Sequence, residues 1–241
     1  MHEHRPDELE ICGFQGVSLL DYPGRVSAVL FLGGCNFRCP FCHNADLVLR
    51  PESLSGLGID EVTGRLSQRK TLIDGVVITG GEPLIHGEQF LALLAAVRKT
   101  GLAVKLDTNG YEVEMLRGTL DSGLVDYIAM DVKTSPERYA VAAGRPVEAD
   151  RIRHAVDIIR CSGIPHEFRT TCVPGIVAEH DILEIAALIG PDARYYLQQY
   201  RASGGVIDPA YGALAPYSCR RLHEFVRQAE PLVATVGVRG C

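Results

Sequence analysis

The chain has 241 residues, a formal net charge of −6, and 46% hydrophobic and 22% charged residues, which is ordinary for a globular enzyme of one domain. An acidic chain argues against a nucleic-acid partner, because a phosphate backbone requires a basic surface. The first eight residues are charged rather than apolar, and no apolar run is long enough to span a bilayer. We therefore expect a cytoplasmic protein with no membrane partner.

Short apolar runs alternate with helical patterns from residue 26 onward. Strands are predicted at 26–32, 76–78, 103–106, 127–130, 168–173 and 195–200, and a last strand is possible at 235–238. Weaker helical patterns begin at Ile59 and Val113. Four further helices carry apolar residues at i, i+3, i+4 and i+7, the pattern of a helix that packs one face on a sheet: Phe90, Leu93, Leu94, Val97; Ile152, Ala155, Val156, Ile159; Ile182, Ile185, Ala186, Ile189; Leu222, Phe225, Val226, Ala229.

This alternation predicts an α/β fold with a parallel sheet and right-handed crossovers. Six strand–helix units are fewer than the eight of a full barrel, so a partial (β/α)6 TIM-like barrel is the expected architecture. An open sheet of flavodoxin type is the alternative. We assign residues 1–24 to an N-terminal extension and residues 25–241 to a single domain.

Three cysteines with the spacing C-x3-C-x2-C follow the first predicted strand: Cys35, Cys39 and Cys42. Thiolates hold iron–sulfur clusters, and three of them on a [4Fe–4S] cube leave one iron open to a ligand that takes part in chemistry. Structural zinc is an alternative, but zinc requires a fourth ligand, and the adjacent His43 is poorly placed to turn back to the same ion.

Five more cysteines are scattered singly along the chain. We expect each to be a small buried hydrophobe, except the C-terminal one, which we expect to be an exposed thiol. A disulfide framework is disfavoured in a chain of this length without a secretory signal. No cysteine lies between Cys42 and the next predicted strand, which indicates one cluster. The scattered residues are Cys12, Cys161, Cys172, Cys219 and Cys241.

Polar residues follow most of the predicted strands, at the edge where parallel α/β folds bind their ligands. We expect them to surround one cavity together with the three cysteines. A turn, a helix N-cap and a solvated lysine are the ordinary structural interpretations of the first three segments. In strand order the residues are Thr79-Gly80-Gly81-Glu82-Pro83, Asp107-Thr108-Asn109-Gly110, Asp131-Val132-Lys133, Arg169, and Gln198-Gln199-Tyr200-Arg201.

The cysteine motif resembles the signature of the radical S-adenosylmethionine (SAM) enzymes, and its continuation Cys42-His43-Asn44 resembles the glycyl-radical-enzyme activases among them. The similarity extends over nearly the whole chain and implies the same partial (β/α)6 barrel. Two lead-in segments are similar, more narrowly, to the activating protein of anaerobic ribonucleoside-triphosphate reductase: Gly13-Phe14-Gln15 and Ser18-Leu19-Leu20-Asp21-Tyr22-Pro23-Gly24.

The resemblance implies one [4Fe–4S] cluster on Cys35, Cys39 and Cys42, with SAM bound beside it. In the pyruvate formate-lyase activase, similar aspartates and a threonine frame a monovalent cation next to the SAM carboxylate, so such a cation is a further expectation. Arg201 stands where that activase has a histidine, and no role is carried over to it. The residues expected to bind SAM are Phe41, Asn44, Gly80, Gly81, Glu82, Asp107, Thr108, Asp131, Lys133 and Arg169.

Individual roles also follow from the resemblance. Phe41 would stack on the adenine, although core filling is an equal alternative, because an aromatic ring serves both purposes. Gly80 and Gly81 would let the backbone approach the ligand, Glu82 would pair with the SAM ammonium, and Lys133 would neutralise its carboxylate.

The implied activity is reductive cleavage of SAM to a 5′-deoxyadenosyl radical, which takes a hydrogen atom from a glycine of a partner glycyl radical enzyme. The partner would be anaerobic ribonucleoside-triphosphate reductase, and the electron donor a low-potential protein such as flavodoxin or ferredoxin. One alternative is a small-molecule enzyme of the 7-carboxy-7-deazaguanine synthase type, in which Cys-Asp-Thr stands in place of Cys42-His43-Asn44. The other is a non-catalytic iron–sulfur sensor or zinc scaffold, which would have no use for Gly80-Gly81-Glu82.

Overall fold

The computed structural model describes residues 9, 11–202 and 205–241, and these form one eight-stranded sheet with helices on its outer face. Strands β2 to β8 are parallel, and β1 is antiparallel to β2 at one edge. The strands lie side by side in chain order: β1 Ile11–Ser18, β2 Ser27–Leu32, β3 Gly75–Gly80, β4 Ala103–Thr108, β5 Tyr127–Asp131, β6 His166–Cys172, β7 Arg194–Gln199 and β8 Thr235–Arg239.

The helices connect these strands and bury the predicted apolar faces. All four predicted four-residue patterns are buried, in α3, α6, α7 and α9. None of the helices in the described ranges has the length and apolarity that crossing a membrane requires. The helices are α1 Ala45–Leu49, α2 Ile59–Ser67, α3 Glu88–Arg98, α4 Val113–Asp121, α5 Tyr139–Ala143, α6 Ala149–Cys161, α7 Glu179–Ile189, α8 Pro209–Gly212 and α9 Cys219–Ala229.

The strand order confirms the predicted barrel architecture. In a (β/α) barrel each new strand joins the sheet beside the preceding one, whereas an open sheet of flavodoxin type changes direction at a switch point. Here the order has no such change from β1 to β8. The last strand, which the sequence left only as a possibility, is present as β8 and pairs with β7.

The predicted N-terminal extension contributes to the sheet from residue 11 onward, while residues 1–8 and 10 lie outside the described part of the chain. Strand β1 was not predicted, because Gly13 and Gly16 interrupt its apolar alternation. Beyond it, Tyr22 is buried and stacks at a tilt on Tyr127 of β5, with 5.8 Å between ring centroids. Tyr22 therefore helps to fill the inner side of the sheet.

The scattered cysteines differ in part from the prediction. Cys172 is buried as expected, but Cys161 is exposed and Cys12 is half-buried. Cys219 and Cys241 form a disulfide, so the expectations of a buried hydrophobe and an exposed thiol were both wrong. The physical reason is that β8 returns the C-terminus to the start of α9, a proximity that a separation of 22 residues does not reveal.

Candidate functional site

A cavity of about 650 Å³, including its open mouth, lies at the carboxyl edge of the parallel strands. Gln198, Gln199, Tyr200 and Arg201 were also expected at this cavity, but they do not line it. Of the residues expected to bind the cluster or SAM, Arg169 alone does not line the cavity, although it contacts two residues that do. The others all line it: Cys35, Cys39, Phe41, Cys42, Asn44, Gly80, Gly81, Glu82, Asp107, Thr108, Asp131 and Lys133.

The cysteine loop directly after β2 is anchored by Phe37. This side chain is 1% exposed, and its ring centroid lies 5.3 Å from that of Tyr111 and 6.1 Å from that of Tyr139. The backbone N–H of Phe37 donates to the Sγ of Cys35 at 3.3 Å. The loop is thus held by the core while its three cysteines line the cavity.

Burial favours the neutral form of two thiols in the loop, those of Cys35 and Cys39. Burial raises the pKa of Cys35 to about 12 and that of Cys39 to about 11. Both therefore keep their protons near neutral pH until a metal displaces them.

Three sulfurs that line one cavity fit a [4Fe–4S] cluster in ligand type and number. Within residues 9, 11–202 and 205–241, no three His, Cys, Asp or Glu side chains are grouped around a position for a single metal ion. A cubane cluster does not require such a position, because each of its cysteine ligands binds a different iron atom.

Gly80 and Gly81 are required by packing within the chain itself. At Gly80, where φ is +122°, a Cβ atom would overlap the backbone of Leu32, and at Gly81 it would overlap the carbonyl oxygen of Gly34. Two backbone hydrogen bonds make the same contact, from Gly81 N–H to Leu32 O at 2.8 Å and from Glu82 N–H to Gly34 O at 2.9 Å. The two glycines therefore let the turn after β3 press directly against the start of the cysteine loop.

Asn44 closes this contact from the other end of the loop. Its Nδ2 donates to the carbonyl oxygen of Gly80 at 3.1 Å. The loop is thus bound to the Gly-Gly turn both before its first cysteine and after its last one.

The carboxylate of Glu82 is buried and fully engaged by the chain. It is 1% exposed and accepts hydrogen bonds from Thr108 Oγ1 at 2.7 Å, Asn109 N–H at 2.7 Å and Leu84 N–H at 3.1 Å. Burial raises the pKa of Glu82 to about 7, although these donors oppose the shift. Glu82 thereby joins the turn after β3 to the turn after β4.

A row of five side chains with alternating charge crosses the carboxyl ends of β4, β5 and β6. We call it the charge ladder, and it consists of Lys105, Asp107, Arg169, Asp131 and Lys133. Asp107 accepts from the Nζ of Lys105 and, at 2.9 Å, from the Nη1 of Arg169. Asp131 accepts from the Nε of Arg169 at 2.8 Å and from the Nζ of Lys133 at 3.0 Å.

The ladder holds two of its members charged at neutral pH. Burial alone would raise the pKa of Asp131, but Arg169 and Lys133 outweigh burial and hold that pKa well below its usual range. Burial would lower the pKa of Lys133, but the Asp131 carboxylate outweighs it and raises that pKa. At the other end, burial lowers the pKa of Lys105 from its ordinary value while Asp107 opposes the shift.

Sequence reasoning missed Lys105 and the positioning role of Phe37. Asn109 lines the cavity as expected, but the hydrogen bond from its Nδ2 to Asn36 Oδ1, at 2.7 Å, was not predicted. For Lys105 a signal was present. A lysine inside a predicted strand is unusual in a core, and its position two residues before Asp107 puts both side chains on one face.

A further contact joins the end of β7 to the cysteine loop. The ring of Tyr200 stacks on His43, with centroids 5.8 Å apart, and its hydroxyl donates to the carbonyl oxygen of Tyr211 at 2.5 Å. The neighbouring Arg201 is exposed and lies outside the set that lines the cavity.

The chain matches the Radical SAM superfamily over residues 29–189, that is 161 of its 241 residues. It is 29% identical over 233 residues to a protein of Methanocaldococcus jannaschii named "Putative glycyl-radical enzyme activating enzyme", and the match covers 95% of each chain. A pyruvate formate-lyase-activating enzyme of Clostridium pasteurianum is 30% identical over 51% of this chain and 52% of its own. A 7-carboxy-7-deazaguanine synthase of Hyperthermus butylicus is 36% identical over 37% of each chain.

Among solved structures, the fold is similar to that of Streptococcus suis SuiB bound to S-adenosylmethionine, with a TM-score of 0.64 and 20% identity. The match covers 86% of this chain and 48% of the SuiB chain, so the chain spans about half the length of that protein. A likeness at this level of identity concerns the fold alone. By its superfamily match and its activating-enzyme relatives, the chain belongs to the radical SAM superfamily, as an oxidoreductase-type enzyme with a [4Fe–4S] cluster and S-adenosylmethionine as its cofactors.

Proposed function

We propose that this enzyme is an activase that takes a hydrogen atom from a glycine Cα of a partner glycyl radical enzyme. The observation that carries the proposal is the match over 95% of both chains to the Methanocaldococcus jannaschii activating enzyme. The partner that the lead-in motifs before β2 favour is anaerobic ribonucleoside-triphosphate reductase. The electron donor would be a low-potential flavodoxin or ferredoxin.

The chain's part in this chemistry is to bind and orient its cofactors. Cys35, Cys39 and Cys42 would bind three irons of the cluster, and the Gly-Gly turn packed against their loop fixes its position. When bound, the cluster and SAM supply the 5′-deoxyadenosyl radical that abstracts the hydrogen atom. The chain itself needs no acid–base side chain for that step.

The charged groups of the cavity suit the two ends of the SAM amino-acid moiety. Lys133 lines the cavity at the end of the charge ladder and would attract the carboxylate. Glu82 lines the same cavity and would pair with the ammonium, although three donors of the chain already bind its carboxylate. Phe41 and Asn44 also line the cavity and complete the proposed SAM site.

The first test is SAM cleavage by the protein, purified and reconstituted with iron and sulfide in the absence of oxygen. With reductant and SAM, we expect 5′-deoxyadenosine, and serine in place of Cys35, Cys39 or Cys42 should abolish it. The exposed Cys161 provides the matched control, because Cys161→Ser should retain the activity. Product from all three cluster variants would refute the ligand assignment.

The second test concerns the partner. The reduced enzyme, with SAM, is incubated with an anaerobic ribonucleoside-triphosphate reductase and, separately, with a pyruvate formate-lyase, and electron paramagnetic resonance is used to detect a glycyl radical. We expect the radical on the reductase. SAM cleavage without a radical on either protein would contradict the activase proposal.

The partial match to a 7-carboxy-7-deazaguanine synthase makes small-molecule chemistry the second candidate. It covers little more than a third of each chain, whereas the activating enzyme matches nearly throughout. A glycyl radical on an added partner protein would decide against the synthase, because that activity needs no protein substrate.

A further inference from the structure

The two aspartates of the charge ladder have no carboxylate oxygen left without a cationic partner. Lys105 Nζ and Arg169 Nη1 bind the two oxygens of Asp107, and Arg169 Nε and Lys133 Nζ bind those of Asp131. A hard metal cation takes oxygen ligands, and here it would have to displace an ammonium or a guanidinium from each of them.

The resemblance also expects Thr108 to contact such a cation, but the hydroxyl of Thr108 already makes two hydrogen bonds within the chain. Thr108 Oγ1 donates to Glu82 Oε1 at 2.7 Å and accepts from the backbone N–H of Gly110 at 2.9 Å. The three side chains expected to frame a monovalent cation are therefore satisfied by the protein itself, and a metal ion does not fit this arrangement.

Lys105 is the unusual member of the ladder, because it is a lysine that is only 1% exposed. Burying an ammonium is costly unless an anion compensates for it. Glu167, the other buried acid nearby, is already bound twice by Arg239, at 2.6 and 2.8 Å, and once by the Tyr127 hydroxyl, at 3.0 Å. The partner of the Lys105 ammonium is therefore Asp107.

The net charge of the ladder also argues against a bound metal ion. Three cationic and two anionic side chains leave one net positive charge in a largely buried row. One carboxylate bound at the Lys133 end would neutralise it. An added metal ion would bring a fourth cation into a row that has only two carboxylates, which is unfavourable away from water.

We propose that the side chain of Lys105, bound to Asp107, supplies the positive charge that a monovalent metal cation would otherwise bring to the aspartates of the ladder, so that this enzyme binds SAM without Na⁺ or K⁺. The inference rests on the proposed function in one respect, since it assumes that SAM binds at the Lys133 end of the ladder. Lys105 acts through Asp107 and is therefore a positioning residue.

The test measures SAM affinity by calorimetry on the anaerobic, cluster-containing enzyme. Titrations are made at equal ionic strength in KCl, NaCl and tetramethylammonium chloride, whose cation is too large to enter the site. We expect the wild-type Kd to agree within about twofold in the three salts. Lys105→Met removes the charge and shortens the side chain by one atom. For this variant Kd should rise about tenfold in tetramethylammonium chloride, and most of the lost affinity should return in KCl or NaCl.

Two variants control the result. Lys105→Arg restores a fixed cation and should bind SAM equally in all three salts, and the exposed Lys99→Met should behave as wild type. A merely structural role for Lys105 would weaken SAM binding without making it respond to K⁺ or Na⁺, and that outcome would overturn the proposal.

The wild-type titrations decide the matter even if Lys105→Met does not fold. A wild-type enzyme that binds SAM about tenfold more tightly in KCl than in tetramethylammonium chloride would overturn the proposal. Failure to bind SAM in any of the salts would instead refute the SAM site of the proposed function. The absence of a radical on a partner protein would refute the activase proposal and leave the cation result standing.

Discussion

The backbone N–H of Asn109 donates to Glu82 Oε2 at 2.7 Å and so joins the turns that follow β3 and β4. The turn after β3 also packs on the cysteine loop. The segments that follow β2, β3 and β4 are therefore all joined by hydrogen bonds. Glu82 is the only side chain that accepts from both turns among the residues described, through Leu84 on one side and Asn109 on the other.

Glu82→Gln should alter the pH dependence of stability. The raised pKa of Glu82, about 7 against an ordinary 4.5, means that the folded protein holds this proton more tightly than the unfolded chain does. The tighter binding of this proton stabilises the folded protein. That stabilisation is fully present below about pH 4.5 and is lost as pH rises through about 7. Between pH 6 and 8 we expect wild type to lose about 1 kcal/mol relative to Glu82→Gln, measured by thermal melts without SAM.

The exposed Glu184→Gln, in the middle of α7, is the matched control and should show no such change over this pH range. A difference between wild type and Glu82→Gln that stays constant from pH 6 to 8 would show that Glu82 does not titrate there. Glu82→Gln should also be destabilised overall, because its amide nitrogen cannot accept the hydrogen bond of Asn109.

Gly81→Ala should separate the turn after β3 from the cysteine loop. The added Cβ would overlap the carbonyl oxygen of Gly34, and since both partners are backbone, neither can move without breaking the hydrogen bonds around them. We expect a loss of at least about 3 kcal/mol in unfolding free energy and a lower iron content after reconstitution.

The control is another glycine of the same chain. Gly64 lies exposed in α2 with open space where a Cβ would stand, so Gly64→Ala should stabilise the protein by about 0.5–1 kcal/mol. Equal stability of Gly81→Ala and wild type would mean that the two backbones are further apart in solution than in the structure.

The helices on the outside of the barrel could be predicted because the pattern that reveals them lies within each helix. Apolar residues at i, i+3, i+4 and i+7, as from Phe90 to Val97, indicate a helix with one buried face. The polar residues that follow each predicted strand mark its carboxyl end. Strand β1 was missed because its glycines interrupt the apolar alternation that would reveal a strand. It is held in place by its pairing with β2, which the sequence of β1 alone does not show. The disulfide was missed for a similar reason, since Cys241 meets Cys219 only once β8 has joined the sheet.

For the site, the sequence predicted which residues meet but not which atoms bind each other. The rule that ligands bind at the carboxyl ends of parallel strands predicted that Asp107 and Asp131 would lie at one cavity. It did not predict that Arg169 would bridge them, because that depends on the register of β4, β5 and β6 and on side-chain length. The requirement for glycine at position 81 was likewise attributed to a ligand, whereas the chain's own backbone already demands it.

Arg239→Met should destabilise the inner side of the barrel. Arg239, in β8, donates two hydrogen bonds to the buried carboxylate of Glu167, and without it Glu167 keeps only the Tyr127 hydroxyl as a donor among its hydrogen bonds in the structure. Removing one partner of a buried pair leaves an uncompensated charge, and because Arg239 is 34% exposed we expect the smaller cost of about 2–3 kcal/mol.

Arg220→Met is the matched control, because Arg220 is 92% exposed beside Glu224 and should give no measurable change in urea unfolding. If Arg239→Met and Glu167→Gln were combined, the loss should be smaller than for Arg239→Met alone, since the buried charge would be gone. An equal or larger loss in the double variant would show that the cost comes from packing and not from the orphaned carboxylate.

Reduction of the disulfide should release the C-terminal strand. The disulfide joins Cys219 to Cys241, 22 residues later in the sequence, and the loop that it closes contains α9 and β8. A disulfide that closes a loop of this length raises the free energy of unfolding by about 3 kcal/mol. We therefore expect Cys241→Ser to lower the unfolding free energy by about that amount in the absence of reductant, and to match wild type when both are measured in excess dithiothreitol. The exposed Cys161→Ser should behave as wild type in both conditions.

Peptide mapping after alkylation of the unfolded, unreduced protein provides a direct check, because free thiols at both Cys219 and Cys241 would show that the bond does not form.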